Sequence, residues 1–317
     1  MRTPMAVLAA MLAAAVLPAC SSAPTAGAAR EWKAPIPSPV YTITQTTGGN
    51  TVTLAQLVDA AAGADVVLLG ELHGQADGQA FEASFFRALL ERAPRSVAAL
   101  EFFERDEQVH VDDFLSGVTD EAAFAKASRR DPGNYTPGHR DIILASRDAK
   151  RPVIAANAPR RYVRIARKEG YDRLGALSPE QSRLMHMPET MPSGGYEERF
   201  IDLMAPKDEK GERSNEAGAR DMFRSQALWD STMSDSVASA LRDGKGRPVV
   251  LVIGLFHVAH DGGTLQLLRA AAPGAKIVTI VMQGSDTPSE QPRADGPIAD
   301  YLVKVPNEDS PEFTSSR

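Results

Sequence analysis

ADVVLLGELHG, residues Ala64 to Gly74, joins a continuous apolar run to a glycine, an acid and a histidine. A short Val- and Leu-rich run bounded by turn formers predicts a strand over Ala64–Gly70 buried on both faces, which delivers Glu71 and His73 at its carboxyl end. The same reading recurs at Ser96–Phe102 (SVAALEF), Arg151–Asn157 (RPVIAAN), Arg247–Gly254 (RPVVLVIG) and Ala275–Met282 (AKIVTIVM). Between the first two lies Gln75–Arg92, with Phe81, Phe85, Leu89 and Leu90 at helical spacing, and Thr53–Ala62 is helical by the same test. Apolar strands alternating with helices predict an α/β fold, a mostly parallel sheet with helices on both faces. Two charged segments without strand signals, about 104–148 and 161–220, predict an inserted helical subdomain. Ile298–Val305 reads as an edge strand, and 306–317 as a disordered tail.

Polar residues collect where the strands stop. Glu71 and His73 follow the first strand, Glu101 closes the second, Asn157 and Arg160 follow the third, and His257 follows the fourth. In an open parallel sheet the crevice outside the carboxyl ends of the strands is where ligands bind. Any one of these residues has a simpler use as a cap or a satisfied core group. Two carboxylates and two imidazoles buried together without partners would cost several kcal/mol, so the set predicts a cation, a polar ligand or mutual acid–base pairing. His73, His257, Glu71 and Glu101 are a suitable donor set for a divalent metal such as Mn, Co or Zn.

Two further groups stand apart from the strand ends. Gln226 and Asp230 lie at i, i+4 on a helical stretch, beside Trp229 and Met233. That helix either packs by its Trp and Met with the polar pair outside, or lines the crevice with Asp230 orienting a histidine. Tyr135 and His139, in Asn134–His139 (NYTPGH), are either turn residues or contacts of a haem, whose iron accepts both types.

Composition restricts the partners. Lys plus Arg number 35 against 41 for Asp plus Glu, a net charge of −6 with no basic stripe, so nucleic acid is excluded as an expected partner. The chain has one cysteine, which excludes a disulfide framework and a Cys-ligated metal site. Cys20 follows Met1–Ala19, a segment with one positive charge, an apolar stretch and Leu17-Pro18-Ala19 before the cysteine. This is the pattern of a bacterial lipoprotein signal: residues 1–19 would be removed, Cys20 lipidated, and 20–49 would serve as a flexible tether. Ser21 after the cysteine favours the cell envelope's outer membrane, facing the periplasm.

GELH at 70–73, EFFERDEQ at 101–108, NYTPGHRDII to RPVIAANAPRR between 134 and 161, SQALWDSTM at 225–233 and GLFHVAHDGG at 254–263 together resemble the ChaN family of haem-binding lipoproteins. That family is grouped with the Tiki and TraB proteins and the erythromycin esterases, and the resemblance runs over residues 50–305. It implies an α/β domain with a helical subdomain, non-covalent haem, pairing as a homodimer, and a role with the haem or iron uptake machinery. It assigns Tyr135 as the phenolate candidate. His139 stands where many relatives carry a second Tyr, and Arg160 suits a haem propionate. The Tiki and esterase branches imply the alternative, a metal-dependent hydrolase using the strand-end His/Glu site, with His73 and His257 holding metal or activating water and Glu71 or Glu101 as ligand or base.

Overall fold

A computed structural model describes residues 40–130, 134–287 and 297–306. Cys20, the signal segment 1–19, the first part of the tether and the tail beyond Pro306 lie outside the described residues. Among the described residues eight strands form one sheet: β1 (Thr42–Gln45), β2 (Asn50–Val52), β3 (Val66–Glu71), β4 (Val97–Glu104), β5 (Val153–Asn157), β6 (Val249–Gly254), β7 (Ile277–Gly284) and β8 (Tyr301–Val305). Their order is β2-β1-β8-β7-β3-β6-β4-β5. The six from β8 to β5 are parallel and the β1–β2 hairpin is added antiparallel at one side, so the fold is the expected α/β one.

The helices lie on both faces. Alternate residues of the strands point to opposite sides. Val67, Leu69, Leu100, Val252 and Ile280 meet one group of helices: α1 (Leu54–Ala62), α2 (Ala76–Arg92), α3 (Gln108–Leu115), α4 (Glu121–Ala127) and α5 (Pro137–Asp148). Five more helices follow: α6 (Arg160–Glu169), α7 (Tyr171–Gly175), α8 (Pro179–Ser182), α9 (Gly195–Met204) and α10 (Glu216–Arg242), with α11 (Gly263–Ala271) after β6. Val66, Leu68, Val249 and Leu251 pack against α10 and α11. Among the described residues no helix is long and apolar enough to cross a membrane.

Three expectations are corrected. The tether does not extend to residue 49, because β1 lies within it. Thr42-Ile43-Thr44-Gln45 buries only Ile43, and so short and polar a strand reads as linker until it is paired with β8. Tyr301–Val305 is not an edge strand but lies between β7 and β1. The helices of 104–148 do not form a separate lobe: Phe114, Phe124, Tyr135, Ile142 and Ile143 belong to the same core as α2 and the sheet. The helices of 161–204 do build small cores of their own, Tyr162, Val163 and Leu174 against Leu228 of α10, and Tyr196 and Phe200 against Phe223.

The topology opens the crevice between β3 and β6. The chain leaves β3 for α2 on one face and leaves β6 for α11 on the other, so the two connections diverge and expose the strand ends. Glu71 lies in register with Gly254, and Leu100 with Val252, which sets the ends of β3, β6 and β4 side by side.

Candidate functional site

The first half of the site is built on Glu71, the last residue of β3. Its Oε1 pairs with His73 Nδ1 at 2.6 Å and its Oε2 with His139 Nε2 at 2.7 Å. His139, in the first turn of α5, stacks on Phe102 with ring centroids 3.9 Å apart. Burial alone would raise the Glu71 carboxyl, but the two imidazoles outweigh it and hold it well below the usual carboxylate range. The bond to Glu71 raises His73 above the ordinary histidine value, helped by the Glu101 charge and opposed by burial. His73 remains 53% exposed at its side chain. Behind it, Glu82 of α2 is fully buried with its Oε2 3.9 Å from His139 Nε2. Burial and the neighbouring Glu71 push the Glu82 carboxyl well up.

The second half is built on Asp230, fully buried on α10. Its Oδ1 pairs with His257 Nδ1 at 2.6 Å and accepts the Thr264 hydroxyl at 2.6 Å, while Oδ2 accepts the Tyr196 hydroxyl at 2.7 Å. Gln226 Nε2 donates to the Tyr196 hydroxyl at 2.9 Å. His257 Nε2 faces Glu101 Oε1 at 3.6 Å, and Glu101 Oε2 accepts the Gly254 amide at 2.5 Å. Burial opposes a charge on His257, yet Asp230 and Glu101 overcome it and bring its pKa up to about 10. Burial works against the Glu101 carboxylate as well, but His257, then His73 and the Gly254 amide, hold its pKa below the usual range.

The halves meet at Gly254. A Cβ there would stand 2.7 Å from His73 Nε2 and 3.6 Å from Glu101 Oε2, so the missing side chain is what lets His73 lie across the strand end. Gly263 has a comparable role beneath Asp230, since a Cβ would come within 2.5 Å of Tyr196 Cε1 and 2.8 Å of Asp230 Cγ. Gly263→Ala is therefore expected to cost about 1–3 kcal/mol of stability. Equilibrium denaturation reads this directly, and a loss within error of zero would show that the Asp230 pocket is not closely packed.

The expected residues divide. Glu71, His73, Glu101, His257 and Asp230 converge on one crevice, and Asp230 does orient a histidine, with Gln226 buried beside it rather than outside. Asn157 does not join them. It lies in register with Glu104, past a bulge, and its Oδ1 accepts the Ala158 amide. Arg160 is 79% exposed with Glu104 3.9 Å away, at the end of β5 and three strand positions from β3. Tyr135 is 1% exposed, edge-on to Phe124, with its hydroxyl 3.5 Å from a Glu121 oxygen and its pKa raised by burial and that charge. Tyr135, His139 and Arg160 thus engage three different sets of neighbours.

The expected metal set is likewise split. Glu71 pairs with His73 at 2.6 Å and Glu101 faces His257 at 3.6 Å, so the four donors fall in two pairs. Among the described residues the group that does close is Glu71, Glu82 and His139. Glu82, Tyr196 and Thr264 are not among the residues expected from the sequence. Glu82 had a signal: it stands three, four and seven residues before Phe85, Phe86 and Leu89, on the buried face of α2.

A parallel α/β sheet with facing carboxylate–histidine pairs at its switch point, whose histidines His73 and His257 each close a Gly-x-x-His segment, defines the class of domain to which this one belongs. The chain itself belongs to the ChaN family of the Tiki superfamily, described as haem-binding uptake, whose model matches residues 57–268. In structure it is similar to ChaN of Campylobacter jejuni with cofacial haem, at 17% identity and a TM-score of 0.62, covering 84% of this chain and 97% of that one. It is also similar to a variant of the erythromycin esterase EreC in its open conformation, at 14% identity over 84% and 83% of the two chains with a TM-score of 0.46. A Bacillus cereus protein aligns at 13% identity over 80% and 92%, with a TM-score of 0.47. No curated protein matches the chain significantly in sequence.

Proposed function

We propose that this chain is a haem-binding lipoprotein of the bacterial envelope, anchored through Cys20 to the outer membrane, facing the periplasm and serving haem or iron uptake as a homodimer. The observation that carries the reading is the family match over residues 57–268. The lipoprotein signal at Met1–Cys20 supports the location. The residues suit the ligand's carboxylates better than its iron. His73, half-exposed and biased toward its cationic form by Glu71, suits a propionate, as does the exposed guanidinium of Arg160. The two stand three strand positions apart, so only a ligand broad across the rim would meet both. Tyr135 does not fit the iron: its hydroxyl is turned to Glu121 inside the core, and burial disfavours the phenolate an iron would need.

Haemin titration of the full chain, followed in the Soret band, tests this. A saturable shift is expected, weakened by about tenfold or more in His73→Ala combined with Arg160→Ala, and unchanged in Tyr135→Phe. No saturable shift overturns haem binding, while a band moved by Tyr135→Phe overturns the assignment of the contacts.

A second reading, hydrolysis at the crevice, is favoured by one observation: His257 is clamped by Asp230 on one nitrogen and presents the other to Glu101. At neutral pH His257 would be the proton donor and the Glu101 carboxylate the base, since the first is raised and the second lowered. Cleavage of an activated ester, abolished by Glu101→Gln and by His257→Ala, would support this reading. Turnover that survives both would end it.

A further inference from the structure

We propose that Glu71, Glu82 and His139 form a buried site for one divalent first-row transition cation, behind the strand-end crevice and separate from its His257–Asp230 half. The inference stands whether or not the protein binds haem. The three side chains come from β3, α2 and α5, and one donor atom from each lies within 4.8 Å of the others. Glu71 Oε2 and His139 Nε2 are 2.7 Å apart, and His139 Nε2 and Glu82 Oε2 are 3.9 Å apart. Three donors at about 2.0–2.2 Å from a tetrahedral ion are separated by roughly 3.3–3.6 Å, so the observed spacings bracket an occupied site and ask only small adjustments of side chains.

Proximity alone would describe a cluster of acids. The independent observation is Glu82. It is 0% exposed at its side chain, and neither Oε1 nor Oε2 has a hydrogen-bond partner among the described residues. A carboxyl group so placed is costly unless something neutralises it. The groups facing it are the Glu71 carboxylate and, 3.9 Å away, the His139 imidazole, so a proton held between Glu82 and Glu71 is the alternative to a cation. Both oxygens of Glu71 are committed, one to His73 and one to His139, and the Phe102 ring covers a face of the imidazole. A divalent cation between the three donors would engage one oxygen of Glu82 and balance the two adjacent carboxylates with its two positive charges. Two carboxylates and an imidazole without a thiolate select Mn, Fe(II), Co or Zn over soft ions such as Cu(I). The half-exposed His73, bonded to the other oxygen of Glu71, is the side chain between this pocket and solvent.

The test uses the full chain, stripped with chelator and titrated with Co(II) by visible absorption and with Zn(II) in competition with a fluorescent indicator. One equivalent is expected to bind and to raise the thermal midpoint. Affinity is expected to fall about tenfold or more in Glu82→Gln and in His139→Gln, and to hold within about twofold in His257→Ala. Apo Glu82→Gln is expected to melt no lower than the apo wild type, because the amide removes an unpaired buried carboxyl. Should it not fold, Glu82→Asp draws the donor back by one methylene while keeping the charge, and unchanged affinity there overturns the proposal. Absence of stoichiometric binding, binding unaltered by Glu82→Gln or His139→Gln, or an equal loss in His257→Ala also overturns it.

Discussion

Asp230→Ala is expected to lower the free energy of unfolding by about 3–5 kcal/mol, the cost typical of breaking a buried charge pair from one side. Asp230 is the anchor of its half of the site. It accepts from Thr264 and Tyr196 and holds His257 by Nδ1, all without solvent. Alanine leaves a buried hydroxyl on each of two residues and strips His257 of one of the two charges that make it a cation. Asp230→Asn is expected to cost less, about 1–3 kcal/mol. The amide removes the same charge from beside His257 but keeps an acceptor for Thr264 and His257, and the clash of donors is confined to Tyr196, whose oxygen would then face a second donor beside Gln226 Nε2. Urea denaturation of the two variants at slightly acidic pH measures both numbers. An alanine variant within about 1 kcal/mol of wild type would mean that water enters the pocket and that His257 is not held as described.

The sheet was legible because its strands are apolar on both faces, and both faces are covered. Val66-Val67-Leu68-Leu69 contributes alternately to the α2 and α10 sides, so period-2 alternation never appears and a continuous run is what such a strand must show. The converse explains β1. Thr42–Gln45 is stabilised by pairing with β8, a partner more than 250 residues away, and only Ile43 carries a local signal. The placement of Tyr301–Val305 inside the sheet depends on the same long-range pairing.

The crevice was legible for a topological reason: residues that end parallel strands share a rim whatever their separation in sequence. This brought together Glu71, Glu101 and His257. It failed for Asn157 because β5 is the outermost strand and its register with β4 slips at a bulge, which puts Asn157 beside Glu104. Glu82, Tyr196 and Asp230 come from helices, and which face of a helix meets the crevice is set by packing. For that reason the i, i+4 spacing of Gln226 and Asp230 leaves two readings open. The long α10 settles the matter by being buried nearly all round, with Ser225, Ser234 and Ser236 turned to carbonyls of Val163, Thr264 and Ala156. Small hydroxyl side chains allow α10 to approach the sheet and α11 while satisfying polar atoms that those neighbours leave open.

Stability is expected to be greatest near pH 4.5 and to decline as the pH rises toward 10, and the reason lies in three buried groups that titrate in opposite senses. His257 has a folded pKa of about 10 against an ordinary 6.5, so its contribution is complete below 6.5 and is lost as the pH climbs through 10. Glu82, raised from 4.5, has the same sign: its contribution is complete below 4.5 and is lost as the pH rises through its folded value. Glu71 is lowered from 4.5, so its contribution is present above 4.5 and is lost as the pH falls through its folded value. Each tenfold change in proton affinity on folding corresponds to about 1.4 kcal/mol, so the alkaline loss from His257 alone is on the order of several kcal/mol. Thermal unfolding from about pH 5 to about pH 9 should show a falling midpoint in the wild type. His257→Gln removes the dominant alkaline group while keeping a side-chain donor toward Asp230, and should flatten the upper part of the curve. If the wild type is already as flat as that variant between about pH 6.5 and 9, His257 is not a buried cation, and the acid–base assignment of His257 and Glu101 fails with it.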